Sequence, residues 1–186
     1  AALIEGHGAD PAPVLAAMAQ DLVQAGATAL AMPCNTAHAY APSIRAATPV
    51  PFLDMVELAC AHASSVSAGD RIGILGSPAL AAVGVYDRGL ARHGLRAIHP
   101  PDPDAALALI RRIKSEGATA RSAAALRDLA GTLEAAGAGA ICVACTEFSL
   151  AMPSDAGSTA CFDALDVLVA AIVDASSGST DLTVAE

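Results

Sequence analysis

Along the chain, apolar runs of five to seven residues alternate with longer stretches in which Ala, Leu and Val recur at helical spacing. This alternation is the pattern of parallel strands joined by crossover helices. It predicts strands over 28–33, 50–54, 71–76, 95–99, 138–144 and 158–162. It predicts helices over 11–25, 37–47, 56–67, 78–93, 103–116, 121–136 and 164–176. Pro11 and Pro13 follow Asp10, a capping residue with proline in the first helical turn. Gly26, Gly69, Gly94 and Gly137 each stand just after a predicted helix, where a left-handed C-cap favours glycine.

The pattern also repeats. Thr28–Cys34 followed by Pro51–Val56 is echoed by Ala140–Cys145 followed by Ala160–Leu165. In each half an apolar strand ends in Cys, and a second strand ends in Phe followed by Asp. Ala25-Gly26-Ala27 and Ala136-Gly137-Ala138 close the helix before each Cys strand. Chance in an Ala-rich chain is one explanation. A duplicated unit related by a pseudo-two-fold is the better one, and it sets two carboxyl sheet edges facing one cleft.

Composition narrows the class. Hydrophobic residues make up 54% of the 186 and charged residues 16%, which describes a globular chain. With 3% aromatics and no Trp, the core has to be built from small aliphatic side chains. A formal net charge of -9 and the lack of a basic stripe argue against a nucleic-acid partner. No apolar run approaches the roughly 20 residues of a membrane span, so no membrane partner is expected. Five cysteines, an odd number, with no secretion signal evident, point to reduced thiols and a cytoplasmic location.

The chemistry lies in the two strand-end cysteines, Cys34 and Cys145, each followed by small polar residues. A thiol titrates near pH 8.5, so it can take or give a proton near neutrality. Two thiols on opposite sides of one ligand suit inversion of an amino acid's α-carbon, one removing the α-proton and the other returning one. Backbone N–H groups at the following helix start, with Asn35, Thr36 or Thr146, are placed to hold a thiolate or a substrate carboxylate. No pyridoxal-lysine or flavin motif is evident, so no cofactor is expected.

Pro33-Cys34-Asn35-Thr36-Ala37-His38 together with Cys145-Thr146-Glu147 resembles the aspartate/glutamate racemase superfamily, most closely its aspartate racemase branch. The glutamate racemase branch has His where this chain has Glu147. The resemblance continues through Gly8-Ala9-Asp10-Pro11, Pro51–Glu57, Gly84-Val85-Tyr86, Ile113-Lys114 and Phe162-Asp163. It implies two pseudo-symmetric, doubly wound parallel-sheet α/β domains with the active site in the cleft between them. It also implies two-cysteine, cofactor-independent racemisation of aspartate or a related amino acid without metal, and a homodimer. Matched residue by residue, Cys34 and Cys145 fall on the catalytic cysteines. Asn35, Thr36, Ser77, Lys114, Thr146 and Glu147 form the substrate-binding set, with Lys114 near the distal carboxylate.

Three departures accompany the resemblance. The Gly-rich opening strand and a carboxylate-gripping arginine would fall at or before Ala1, so a longer parent polypeptide is expected. Gly76-Ser77-Pro78-Ala79-Leu80 replaces a threonine-rich loop, and Ala144 replaces a glycine. The expected division is residues 1–56 plus 163–186 as a first domain lacking its N-terminal part, and 57–162 as a second. The alternatives are another superfamily activity (broad-specificity or hydantoin racemase, maleate isomerase or malonate decarboxylase type) and a truncated, inactive binding remnant.

Other features have plainer readings. Cys142 and Cys145 have Cys-x-x-Cys spacing, which can signal redox or zinc chemistry, but no second pair accompanies them. Cys142, Cys60 and Cys161 read as small core residues. His38 reads equally as a base for Cys34 or as a helix-face histidine bound to a backbone carbonyl. His7, His62, His93 and His99 lack metal-ligand spacing. Glu147 reads equally as an ammonium ligand or as a favourable first-turn acid.

Overall fold

The computed structural model describes residues 8–152 and 159–177. His7, the start of the 158–162 strand and the last residues of the 163–186 segment lie outside them. The architecture is α/β with two parallel sheets. The first part runs α1 (Ala12–Gln24), β1 (Leu30–Ala31), a 3₁₀ turn (Thr36–Tyr40), α2 (Ala41–Ala47), β2 (Phe52–Leu53) and α3 (Met55–Val66). Then come β3 (Arg71–Gly76), α4 (Ala79–Val83), α5 (Val85–Ala91), β4 (Arg96–Ile98), α6 (Pro103–Glu116) and α7 (Ala120–Ala135). The last elements are β5 (Ala140–Ala144), α8 (Thr146–Ser149), β6 (Ala160–Asp163) and α9 (Ala164–Ser176).

The larger sheet has the order β4-β3-β5-β6, all parallel, with β3 and β5 in register from Ile72↔Ala140 to Gly76↔Ala144. Every residue of β5 is buried, as expected of a parallel strand covered on both faces. On one face Ile72 and Ile74 meet Met55, Cys60, Tyr86, Leu90 and Leu168, from α3, α5 and α9. On the other, Leu75, Ile141 and Val143 meet Ile113, Leu126, Leu133 and Phe148, from α6, α7 and α8. The smaller sheet is the single pair Leu30↔Phe52 and Ala31↔Leu53, with Ala19 and Ile44 as its buried helical contacts. Two strands alone are a marginal sheet. Ala39 and Leu53 from this part also pack against the larger core. On α1, Val14, Met18 and Leu22 form an exposed apolar stripe.

The Phe-Asp echo has a local cause. Asp54 accepts hydrogen bonds from the backbone N–H groups of Val56 and Glu57, and Asp163 accepts one from Leu165. Each is the N-cap of the helix that follows its strand.

Several elements differ from the sequence pattern. The expected helix over 78–93 is broken at Gly84, whose φ of +62° is a left-handed conformation that ends α4 and starts α5 in a new direction. The expected helix over 37–47 opens as a 3₁₀ turn before α2. The strand expected over 28–33 pairs only at Leu30–Ala31. Cys161 is exposed rather than in the core, because β6 lies at the edge of the larger sheet. Cys60 and Cys142 are buried. No helix among the described residues is long and apolar enough to cross a membrane.

Candidate active site

Cys34 and Cys145 each follow the carboxyl end of a parallel strand, as the apolar runs predict, but the two settings differ. Cys34 follows β1 in a tight turn, its N–H bonded to Met32 O at 2.9 Å, and it is exposed. His38 braces this turn from below. Its Nδ1 lies 2.9 Å from Cys34 O, and its Nε2 is 3.0 Å from the Met55 N–H. Because the Met55 N–H must donate, Nε2 accepts and the proton sits on Nδ1, donating to the carbonyl. His38 is therefore a neutral buried tie between the Cys34 turn and the start of α3, which fits the carbonyl-bound reading. Asp54 lies 3.5 Å from the same ring and is paired with Arg45 at 2.6 Å.

Asn35, the next residue, is 4% exposed. Its Oδ1 accepts from the Tyr86 hydroxyl at 2.5 Å, across 51 positions of sequence. Tyr86 itself is buried on α5 beside Cys142 of β5, with the Cys142 thiol 3.9 Å from the phenol oxygen. This contact holds the Cys34 turn against the larger sheet. Burial pushes both the Tyr86 phenol and the Cys142 thiol well above their ordinary ranges, so both stay protonated.

Cys145 is the first residue past β5 and the N-cap of α8, its carbonyl taking the N–H groups of Phe148 and Ser149. Its side chain is nearly enclosed, at 9% exposure. The thiol donates to Glu147 Oε2 at 3.0 Å, and Glu147 Oε1 meets Lys114 Nζ at 3.1 Å. Burial first, then the Glu147 carboxylate as bond partner and as charge, push the Cys145 thiol up to about 12. Partial burial works against ionisation of Glu147. The Cys145 thiol, a backbone N–H and the Lys114 ammonium outweigh it and hold the carboxyl below its usual range. Lys114, on the last turn of α6, is raised by its bond to Glu147 and by that carboxylate's charge.

The Cys145 and Cys34 thiols add, as the smallest causes, to the same upward shift of Lys114. The Thr36 and Thr146 hydroxyls are half-buried, and no hydrogen bond engages them among the described residues. Ser77 leaves β3 beside Cys145, since Gly76 pairs with Ala144, and its Oγ takes the Ala79 N–H at 3.3 Å. A Cβ at Gly76 would lie 2.8 Å from Ala144 O, so only glycine allows this close approach. Ser77 also lines a cavity of about 210 Å³ shared with His99, Pro100 and Pro103, on the β4 side of the strand end.

Sequence reasoning missed two contacts. The Glu147 carboxylate engages Cys145 and Lys114, a role outside either reading of that residue; the signal available was Cys-x-Glu at a strand end. Tyr86 was visible only as part of a resembling motif, and nothing local linked it to Asn35. Among the described residues, no three His, Cys, Asp or Glu side chains gather as a metal site.

The family model described as Asp/Glu/Hydantoin racemase matches residues 1–172. Among solved structures, a candidate Asp/Glu racemase from Yersinia pestis is similar at 29% identity and a TM-score of 0.74, over 88% of this chain and 73% of that one. The Picrophilus torridus aspartate racemase matches at 19% identity and a TM-score of 0.78, over 91% of this chain and 71% of its own. An aspartate racemase homologue from Pyrococcus horikoshii matches at 21% and 0.75, over 89% and 74%. At such identities the last two likenesses bear on the fold.

Proposed function

The chain belongs to the Asp/Glu/Hydantoin racemase family, and from that premise we propose that it is a cofactor-independent amino-acid racemase acting on aspartate. In this reading Cys34 and Cys145 work from opposite faces of Cα, in a cleft between a first domain of residues 1–56 plus 163–186 and a second of 57–162. The observation that carries the proposal is the pair of strand-end cysteines, with the Cys145 thiol bonded to Glu147 and Glu147 paired with Lys114.

The asymmetry of the thiols supports a division of their first roles. Moving the Cys145 proton to Glu147 means passing it from a thiol near 12 to a carboxylate held below its ordinary range. That step is strongly uphill. Cys145 is therefore protonated in the resting site and acts first as the acid. Cys34, in the open turn, takes the α-proton as thiolate. The Cα–H bond breaks, its electron pair moves into the adjacent carboxylate, and the Cys145 S–H bond breaks to give a proton to the opposite face of Cα. The cycle ends with Cys34 as thiol and Cys145 as thiolate, the state that turns over the opposite enantiomer. Lys114 faces the distal carboxylate, and Thr36, Thr146, Asn35 and Ser77 supply hydrogen bonds to the rest of the substrate. The resemblance of the motifs to the aspartate racemase branch, with Glu147 rather than His after the second Cys-Thr, supports aspartate as substrate. A homodimer in the cytoplasm belongs to the same proposal.

The test is incubation of L-aspartate in deuterated water, followed by proton NMR and chiral chromatography. Loss of the α-proton signal with growth of D-aspartate is expected. Absence of both, for aspartate and glutamate alike, overturns the racemase reading for these substrates. Turnover of a 5-substituted hydantoin instead would reassign the substrate within the family.

A further inference from the structure

The contact between Tyr86 and Asn35 decides something the two residues separately leave open. A carboxamide can turn either its oxygen or its NH2 group toward a neighbour, and the choice is read from the hydrogen bonds it makes. Here the two atoms are 2.5 Å apart. That is within the range of O–H···O bonds, at roughly 2.5–3.0 Å, and shorter than N–H···O bonds, at roughly 2.7–3.2 Å. The atom facing the phenol is therefore the amide oxygen, and the phenol donates. The other neighbour of the phenol agrees, since the Cys142 thiol, 3.9 Å away, is placed to donate to the phenol oxygen. The phenol's single proton goes to Asn35.

The Asn35 NH2 group is then the end of the amide that Tyr86 leaves unengaged, on the residue next to Cys34. No hydrogen bond to a described residue engages it. Two N–H donors beside a strand-end thiol match a carboxylate. The reversed amide would offer a carbonyl, which suits an ammonium.

We propose that Tyr86 is a positioning residue that locks the Asn35 carboxamide with its NH2 group toward the ligand, and so sets this subsite to accept a carboxylate. The proposal rests on the racemase reading for its ligand but not for its geometry. Gly84 contributes by breaking the helix so that α5 begins at Val85 and carries Tyr86 inward.

The experiment uses the full chain and three variants: Tyr86→Phe, Asn35→Ala and the double variant. Tyr86→Phe keeps the buried ring and removes only the hydroxyl. Dissociation constants for L-aspartate and succinate are measured by calorimetry, and KM and kcat for L-aspartate by racemisation. Tyr86→Phe is expected to weaken binding and raise KM about tenfold, with kcat within about twofold. The double variant should bind no more weakly than Asn35→Ala alone, because Tyr86 acts through Asn35. Independent losses that multiply in the double variant overturn the proposal, as does an unchanged dissociation constant in Tyr86→Phe. A wild-type chain that binds neither carboxylate overturns it too. In NMR spectra of the wild type, both Asn35 side-chain NH2 protons should exchange rapidly with water; one protected proton overturns the assigned orientation. Weakened carboxylate binding in Tyr86→Phe, from a chain that racemises nothing, would remove the racemase reading and leave this one standing.

Discussion

The Cys34 turn and the Cys145 turn follow the same plan, a parallel strand, a cysteine and a short helical turn, but they are built on sheets of very different depth. β5 is central in four strands and buried along its whole length, so the residue leaving it is also nearly enclosed. β1 is half of a two-stranded sheet, and the residue leaving it is exposed. Enclosure raises the cost of a thiolate, and the Glu147 carboxylate raises it further, so Cys145 holds its proton. Equivalent positions in a repeated motif thus come to lie in unequal settings, and the inequality follows from how many strands lie on each side.

The most severe way to break the comparison is to delete either thiol. Cys34→Ala and Cys145→Ala should each lower racemisation by on the order of 10³-fold or more. A variant that keeps near-normal activity, measured by chiral chromatography, would show that the two turns are not partners. Next, Glu147→Gln removes the charge that opposes the Cys145 thiolate. Its thiol pKa should fall from about 12 toward the ordinary range, read by the pH dependence of iodoacetamide labelling at Cys145 in a Cys34→Ala background. In the protein with Cys34 intact, the same change should cost on the order of 10²-fold in activity. An unmoved labelling midpoint would mean that burial alone sets this thiol.

On the other side, His38→Ala removes the tie between Cys34 O and the Met55 N–H. Leaving two backbone groups without their partner should cost about 2–3 kcal/mol, seen as a lowered melting temperature. A change within error would mean that the smaller unit holds the Cys34 turn by other contacts. The last effect is confined to alkaline solution. Cys60 and Cys145 both have folded-state values raised to about 12 from an ordinary 9.0, chiefly by burial. Their thiol forms are favoured by the fold, so stability is unaffected by them below about pH 9. It should decline as pH rises from there toward 12, by up to about 1.4 kcal/mol per pH unit for each group. Denaturant melts at stepped pH check this, and Cys60→Ala should flatten the slope.

Much of this molecule was legible from its residues because the governing interactions are short in sequence. Apolar runs and helical spacing marked the elements. Asp54 and Asp163 cap helices two or three residues away, and the chain repeats the device at the end of a second strand. The Cys motifs are contiguous and stood out for the same reason. The break at Gly84 was less visible, since a glycine in a helical stretch declares a left-handed turn only when packing requires one.

The sequence by itself therefore determined the α/β alternation, the two strand-end thiols and the small polar residues that follow each. Tertiary structure alone decided that Cys145 is enclosed while Cys34 is open, that Lys114 reaches Glu147 from a different helix, and that Tyr86 bonds the Asn35 amide from 51 positions away. The reason is physical. Caps, turns and periodicity act within a few residues, whereas burial, charge pairing and the orientation of a buried amide depend on which strands and helices come to lie beside one another.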